Sequence, residues 1–407
     1  MPQLDEDFYH PALGTVVHNR YLLHQKLGQG THGSLWLVSQ IGGGENDTQG
    51  DTKYCALKIL TASATQHELE GLTRERYFMR LIAKQEVNGL PILLDDFELL
   101  GRNGRPHICL VMYALGPSLS DFRNASPDKA LQPHIVKSII AQLLDTLNQL
   151  HSAGIIHTDI KPGNVLLHCP SDQDIERYLA TFTPARRRPR SAAEEQDANG
   201  NELHSDPEDA DDILYQPRSC PIPEPHKWNC TPHEAETLNV TLVDFGKAQA
   251  IGQQPTVAQF AAGSLRTPED ILHAYFGPKI DIWAIGCLTF ELLTGRWLFH
   301  PEAGDTWTEE DDHLARMLEL TGDEFTPQML GFSANKDEYF DEDGNLRRVP
   351  ELLPRKMEDA LRAYKVPEAE IPLAAQFIRD CLRLDPLLRP SAQELELHPW
   401  LATAFEC

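Results

Sequence analysis

Two regimes of hydrophobic patterning divide the chain. From about residue 20 to 115 apolar residues fall in short runs, such as Leu35-Trp36-Leu37-Val38 and the stretch Tyr54 to Leu60. Runs of this length, rich in β-formers, predict buried strands. Gln66 to Lys84 departs from them, with Leu69, Leu72, Phe78, Leu81 and Ile82 at the spacing of one helix. From about 118 onward the pattern turns helical, with buried helices expected over Ile135–Leu144 and Asp281–Leu293. Short apolar runs at Asn164–Leu167 and Val240–Val243 read as strands. The pattern predicts an α+β chain of two lobes, a small β-rich one over 1–115 and a larger helical one over 116–407. Any chemistry is expected in the cleft between them.

The patterning lapses over about 170–238. Arg186, Arg187, Arg188 and Arg190 form a basic cluster, and Glu194, Glu195, Asp197, Glu208, Asp209, Asp211 and Asp212 make the following tract acidic. Pro221, Pro223 and Pro225 come next. Such a segment buries too little apolar surface to offset its ordering entropy, so a largely disordered insert is expected. The arginine run has the composition of a nuclear import signal and equally that of a solvated linker.

Composition sets further bounds. With 407 residues and 41% hydrophobic content, the chain is long enough for two cores. A formal net charge of -25 disfavours nucleic acid and anionic membranes as partners and suits a basic protein substrate. The start, Met1-Pro2-Gln3-Leu4-Asp5-Glu6-Asp7, has no secretory character, and no apolar run approaches the ~18 residues that span a bilayer. Eight scattered cysteines without a Cys-x-x-Cys pair fit reduced thiols in the cytoplasm or nucleus. Cys220, His226, Cys230 and His233 do not have the spacing of a common zinc site.

The chemistry concentrates in His157-Thr158-Asp159-Ile160-Lys161-Pro162-Gly163-Asn164, with Asp244-Phe245-Gly246 downstream. In one short loop, Asp159 can orient a hydroxyl and accept its proton, Lys161 can neutralise a phosphate, and Asn164 can hold a cation. Asp244 adds a carboxylate for divalent ions that bridge phosphates. Phosphoryl transfer needs this set, because its catalysis is mostly positioning and charge stabilisation. In this order, the two motifs resemble those of the eukaryotic protein kinases.

That resemblance implies a bilobal kinase fold using ATP and Mg²⁺. Gly28, Gly30 and Gly33, followed by a strand, match the glycine loop over the phosphates. Lys58 matches the strand lysine that binds the α- and β-phosphates. Its expected partner is a helix glutamate, Glu75, with Glu68 and Glu70 as rivals. His107 to Leu115 corresponds to the strand and hinge beside the adenine, with Met112 as gatekeeper and the backbones of Tyr113 and Leu115 bonding the base. Thr267-Pro268-Glu269 matches the close of the activation segment, where Glu269 is expected to pair with Arg389. With the helix beginning at Asp281, this closure argues against a small-molecule kinase.

More narrowly, the chain is similar to the SR-protein-specific kinases of the CMGC group. Thr158 stands where most kinases have arginine, and Arg266 is the arginine typical of CMGC members. The stretches Ala303–Leu314 and Tyr339–Arg347 resemble parts of that family's large lobe, and 170–238 lies where it carries a spacer. Thr158 cannot pair with a phosphorylated loop residue, so activity without loop phosphorylation is implied. Arg-Ser-rich substrates and a role in splicing regulation follow from the same likeness, and the chain is expected to act as a monomer. Asp305, Glu309, Glu310, Asp311 and Asp312 are candidates for an acidic docking surface; the other reading is a solvated helix start favoured by the dipole. The family more often has a bulky residue and a serine where this loop has Thr31-His32-Gly33, and often Asp-Leu-Gly instead of Asp244-Phe245-Gly246. Proline-directed specificity and an inert scaffold are the alternatives, although Lys58, Asp159, Asn164 and Asp244 are all retained.

Overall fold

The computed structural model describes residues 6–41, 54–85, 87–168, 171–181, 222, 226–253, 255–256, 263–349 and 351–402. They divide into two compact units. The first comprises Met1–Thr65, Asp95–Ala114 and Pro170–Ile222; the second comprises Gln66–Leu94, Leu115–Cys169 and Pro223–Cys407. One division falls between Ala114 and Leu115. The units are not contiguous in sequence, however, since 66–94 groups with the helical unit and 170–222 with the strand-rich one.

Six strands build the first unit: β1 (Val16–Val17), β2 (Tyr21–Gln29), β3 (Gly33–Gln40), β4 (Tyr54–Leu60), β5 (Leu93–Leu100) and β6 (Pro106–Tyr113). Their order in the sheet is β1-β2-β3-β4-β6-β5, and β1 to β4 and β6 pair antiparallel with their neighbours. Strand alternation places Cys55, Leu57 and Ile59 in a core with Trp36, Val38, Cys109 and Val111. Ala56 and Lys58 therefore point to the other face, opposite Met112 and Leu110 in the register of β6. At the start of β3, where Gly33 pairs with Leu60 of β4, a Cβ on Gly33 would stand 2.7 Å from the carbonyl oxygen of Ile59, so only glycine permits that approach.

The single helix expected over 66–84 is two, Ala62–Leu69 and Glu75–Ala83. Gly71 takes a left-handed φ of 74° between them, and the Glu68 carboxylate accepts from the amides of Glu75 and Arg76 at the second helix's start. Phe78 and Ile82 are buried as expected, whereas Leu69 and Leu72 are exposed because the break turns their side chains away.

The second unit is built on two helices. Pro133–Ser152 is amphipathic, and Lys279–Thr294 is buried from Ile280 to its last residue, as expected of a helix apolar on all sides. Gly286 lets the latter approach the Ile371–Cys381 helix, since a Cβ there would lie 2.7 Å from that of Cys381. Against this base lie short strands: β7 (Leu115–Ser118), β8 (Ile155–Ile156), β9 (Val165–His168), β10 (Val240–Leu242) and β11 (Gln249–Ala250). They pair as β10-β9-β7 and β11-β8.

The insert expected over 170–238 has structured ends. Asp172–Thr181 is a helix whose Ile175 is only 2% exposed, and the Tyr178 hydroxyl accepts from the Gln25 amide at 3.2 Å. Pro232–Ala235 is a helical turn with a Thr231–Glu234 capping box, beside the buried Cys230 and Leu238. The composition average hid both: Ser171-x-x-Asp174 and Thr231-x-x-Glu234 are helix starts with apolar followers. The arginine cluster and the acidic tract fall within 182–221, outside the described residues.

Candidate active site

In the first unit the glycine loop joins β2 and β3. The Gly30 amide donates to the Gly33 carbonyl at 2.9 Å, and the Thr61 amide ties down the His32 carbonyl at 2.9 Å. A side chain on Gly28 or Gly30 would meet nothing within 4 Å, so neither glycine answers a packing demand of the fold. Lys58 and Met112 share the sheet face away from the core; Tyr113 ends β6 and Leu115 opens β7. Of the three rival acids, Glu68 caps its neighbouring helix and Glu70 is exposed and bonded to Gln66. Glu75 is buried.

The second unit holds the loop from His157 to Asn164, suspended from one buried carboxylate. Asp281 accepts from the amides of His157 (2.9 Å) and Thr158 (2.8 Å) and from the His151 ring (2.9 Å). Burial alone would push its carboxyl up. The bond from His151, the nearby imidazoles and the His157 amide outweigh that and hold it below the ordinary aspartate range. These bonds fix Thr158 at a left-handed φ of 70°, a strained conformation for a β-branched residue. His157 is set as well: its Nδ1 accepts from the Asp159 amide, leaving Nε2 to donate to the Val243 carbonyl at 3.0 Å.

Asp159 is the hub of this loop. Its Oδ2 receives Lys161 Nζ at 2.7 Å and Asn164 Nδ2 at 3.0 Å. The same Asn164 nitrogen also donates to the Asp159 carbonyl at 2.8 Å, so the amide is oriented and these bonds leave its Oδ1 unused. Asn164 is tied in turn to the neighbouring motif, since the Val243 amide donates to its carbonyl at 2.9 Å. Asp244 follows in a left-handed φ of 73°. A Cβ on Gly246 would lie 3.4 Å from Asp244 Oδ1 and 3.8 Å from Glu75 Oε2, which places both carboxylates beside this turn. An amide oxygen and a carboxylate are hard donors of the kind Mg²⁺ prefers, and the residues fit that ion.

Thr158 has a partner that spacing could not disclose: its hydroxyl donates to the Lys247 carbonyl at 2.9 Å. The Gln249 side chain donates to the same carbonyl at 3.0 Å and accepts from the Thr256 amide at 3.0 Å. Neutral hydrogen bonds thus hold Lys247, Gln249 and Thr256 after Asp244; residues 254 and 257–262 lie outside the described ones. Further on, Arg389 grips Glu269 with two bonds of 2.8 and 3.0 Å, both side chains buried. Arg266 joins Asp270 (3.0 Å) to Glu310 (2.9 Å).

The acidic docking candidates divide. Asp311 is 0% exposed, receives the Thr308 hydroxyl in a capping box and pairs with Arg348, so it is a structural residue and no part of a docking surface. Asp312 pairs with Arg316 at 2.6 Å, and Glu310 is taken by Arg266. Asp305 and Glu309 remain exposed. Beneath them His313 is buried, and burial with the charges of Arg266 and Arg316 pushes its imidazole down to about 3. A depressed base favours folding above its unfolded value of about 6.5 and loses that contribution as pH falls towards 3. His313→Leu is therefore expected to reduce the fall in melting temperature between pH 6.5 and 4 relative to the wild type.

Residues 21–185 and 232–401 match the protein kinase domain family, leaving 186–231 unmatched. The serine/threonine-protein kinase SRPK of Physarum polycephalum is 30% identical over 409 residues, covering 97% of this chain and 89% of the relative. Protein kinase dsk1 of Schizosaccharomyces pombe is 26% identical over 463 residues, covering 97% and 83%. Human SRSF protein kinase 3 is 25% identical over 515 residues, covering 97% and 88%.

Proposed function

The chain belongs to the protein kinase family, as a serine/threonine kinase of the SRPK type, and from that premise we propose that it transfers the ATP γ-phosphate to serines of Arg-Ser-rich proteins in the cytoplasm or nucleus. The observation that carries this reading is the Asp159 carboxylate, fixed by Lys161 and Asn164 in a loop hung from Asp281. Asp159 receives the proton of the acceptor hydroxyl as its oxygen attacks the γ-phosphorus and the bond to the β-phosphate breaks. Lys161 offsets charge on the transferring group, and Lys58 takes the α- and β-phosphates. Asn164 and Asp244 would hold Mg²⁺, which supplies charge neutralisation across the phosphates when bound.

The human relative's name refers to SRSF proteins, and the net charge of -25 suits basic partners. Asp305 and Glu309 are the docking residues this reading favours. Reversing both to lysine is expected to raise KM for an Arg-Ser peptide by about 3- to 10-fold, with KM for ATP unchanged. An unchanged peptide KM would remove them from the interface. Reversal at Asp311 would instead strand Arg348 and break a helix cap, reporting on stability.

Activity needs no loop phosphate in this reading, because Thr158 and Gln249 hold the segment with neutral hydrogen bonds. The test is labelled phosphate transfer from Mg-ATP to an Arg-Ser repeat peptide and to a proline-directed one, using phosphatase-treated protein. Labelling of the first supports the proposal; labelling of only the second moves the specificity. Silence until an upstream kinase acts would end the claim of constitutive activity.

A further inference from the structure

The two oxygens of Asp159 are held unequally. Oδ2 is saturated by Lys161 and Asn164, while Oδ1 faces a second ammonium, Lys247 Nζ, at 3.6 Å. That distance is an ion pair without a hydrogen bond, so Oδ1 is the oxygen left for an acceptor hydroxyl. Lys247 is not placed there by a loose loop. It ends the turn Phe245–Lys247, and its carbonyl is clamped by both the Thr158 hydroxyl and the Gln249 amide. Because Thr158 directly precedes Asp159, the clamp fixes the backbone of Lys247 relative to the carboxylate that its side chain approaches. Both lysines are partly exposed, at 40% for Lys161 and 34% for Lys247, so each can meet a substrate.

We propose that Lys247 is a positioning residue for phosphoryl transfer. It restrains Oδ1 of Asp159, the oxygen that Lys161 does not hold, and keeps a positive charge beside the acceptor oxygen. The inference rests on the reading of Asp159 as the group that receives the hydroxyl. With one cation at each oxygen the carboxylate is restrained at both, where Lys161 and Asn164 alone would pin a single oxygen. A charge already in place costs no reorganisation when the transferring group separates from ADP.

The test compares Lys247→Met, which keeps length and removes charge, with Lys247→Arg, which restores charge. Lys247→Met is expected to lower kcat on the Arg-Ser peptide by about 10- to 100-fold. KM for ATP and the melting temperature should stay at wild-type values, and Lys247→Arg should recover most of the rate. A Lys247→Met enzyme as fast as wild type would overturn the proposal, provided that an Asp159→Asn control made alongside is inactive. A faster one would also overturn it, by showing that the ammonium restrains the carboxylate against reaction. A melting temperature that falls with the rate in both variants would reduce Lys247 to a structural role. An Asp159→Asn enzyme of full activity would overturn the reading of Asp159 and this inference with it.

Discussion

Asp159→Ala is expected to lower kcat for peptide phosphorylation by about 10²- to 10⁴-fold, with KM for ATP changed little. The side chain has no structural partner that a rearrangement could not replace. Asn164 keeps its bond to the Asp159 carbonyl, and the loop keeps both amide bonds to Asp281. Folding should therefore survive while the proton acceptor is lost. Lys161 would also lose its nearest carboxylate, so part of the loss would reflect a displaced ammonium. Single-turnover labelling with saturating Mg-ATP isolates the chemical step. A residual rate within threefold of wild type would remove Asp159 from its proposed role.

Arg389→Ala is expected to destabilise the second unit by about 3–5 kcal/mol, because it leaves the Glu269 carboxylate buried without its partner. The guanidinium also donates to the carbonyls of Lys279 (2.7 Å) and Arg383 (2.9 Å) and lies 5.1 Å from the Trp283 ring centroid. One side chain thereby ties the close of the activation segment to the central helix. Arg389→Lys should rescue little, since one ammonium cannot span both carboxylate oxygens and two carbonyls. A thermal melt should show a loss of roughly 5–15 °C. The double variant with Glu269→Ala should lose less than the two single losses added together, because the stranded carboxylate is gone. Additive losses would mean that the pair is not coupled.

Much of the site was legible because local spacing fixes it. Asp159, Lys161 and Asn164 lie within six residues, so one loop must bring them together whatever surrounds it. Lys58 could be read because an ammonium in an otherwise apolar strand needs a functional explanation. Glu269 and Arg389 lie 120 residues apart, and in the sequence only the motif resemblance links them, whereas the bidentate bond is a tertiary contact. The docking candidates were legible as charges and illegible as surfaces. Nothing in Glu309-Glu310-Asp311-Asp312 distinguishes the exposed Glu309 from Asp311, whose Oδ2 is taken by a cap and an arginine 37 residues on.

The sequence by itself determined the strands over 35–38 and 54–60, the two long helices of the second unit and the loop of catalytic candidates. These depend on periodicity and short-range covalent geometry, which travel with the residues themselves. Tertiary structure alone decided that Gly71 and Glu68 would split one periodic stretch into two helices, and that Ile175 would anchor one end of an apparently featureless insert. It also decided that Thr158 would clamp Lys247, placing a second ammonium at Asp159. Such outcomes rest on side-chain contacts, from Glu68 with the Glu75 amide to Thr158 with the distant Lys247 carbonyl. Their energies depend on which partner wins a buried oxygen, and a linear pattern does not record that competition.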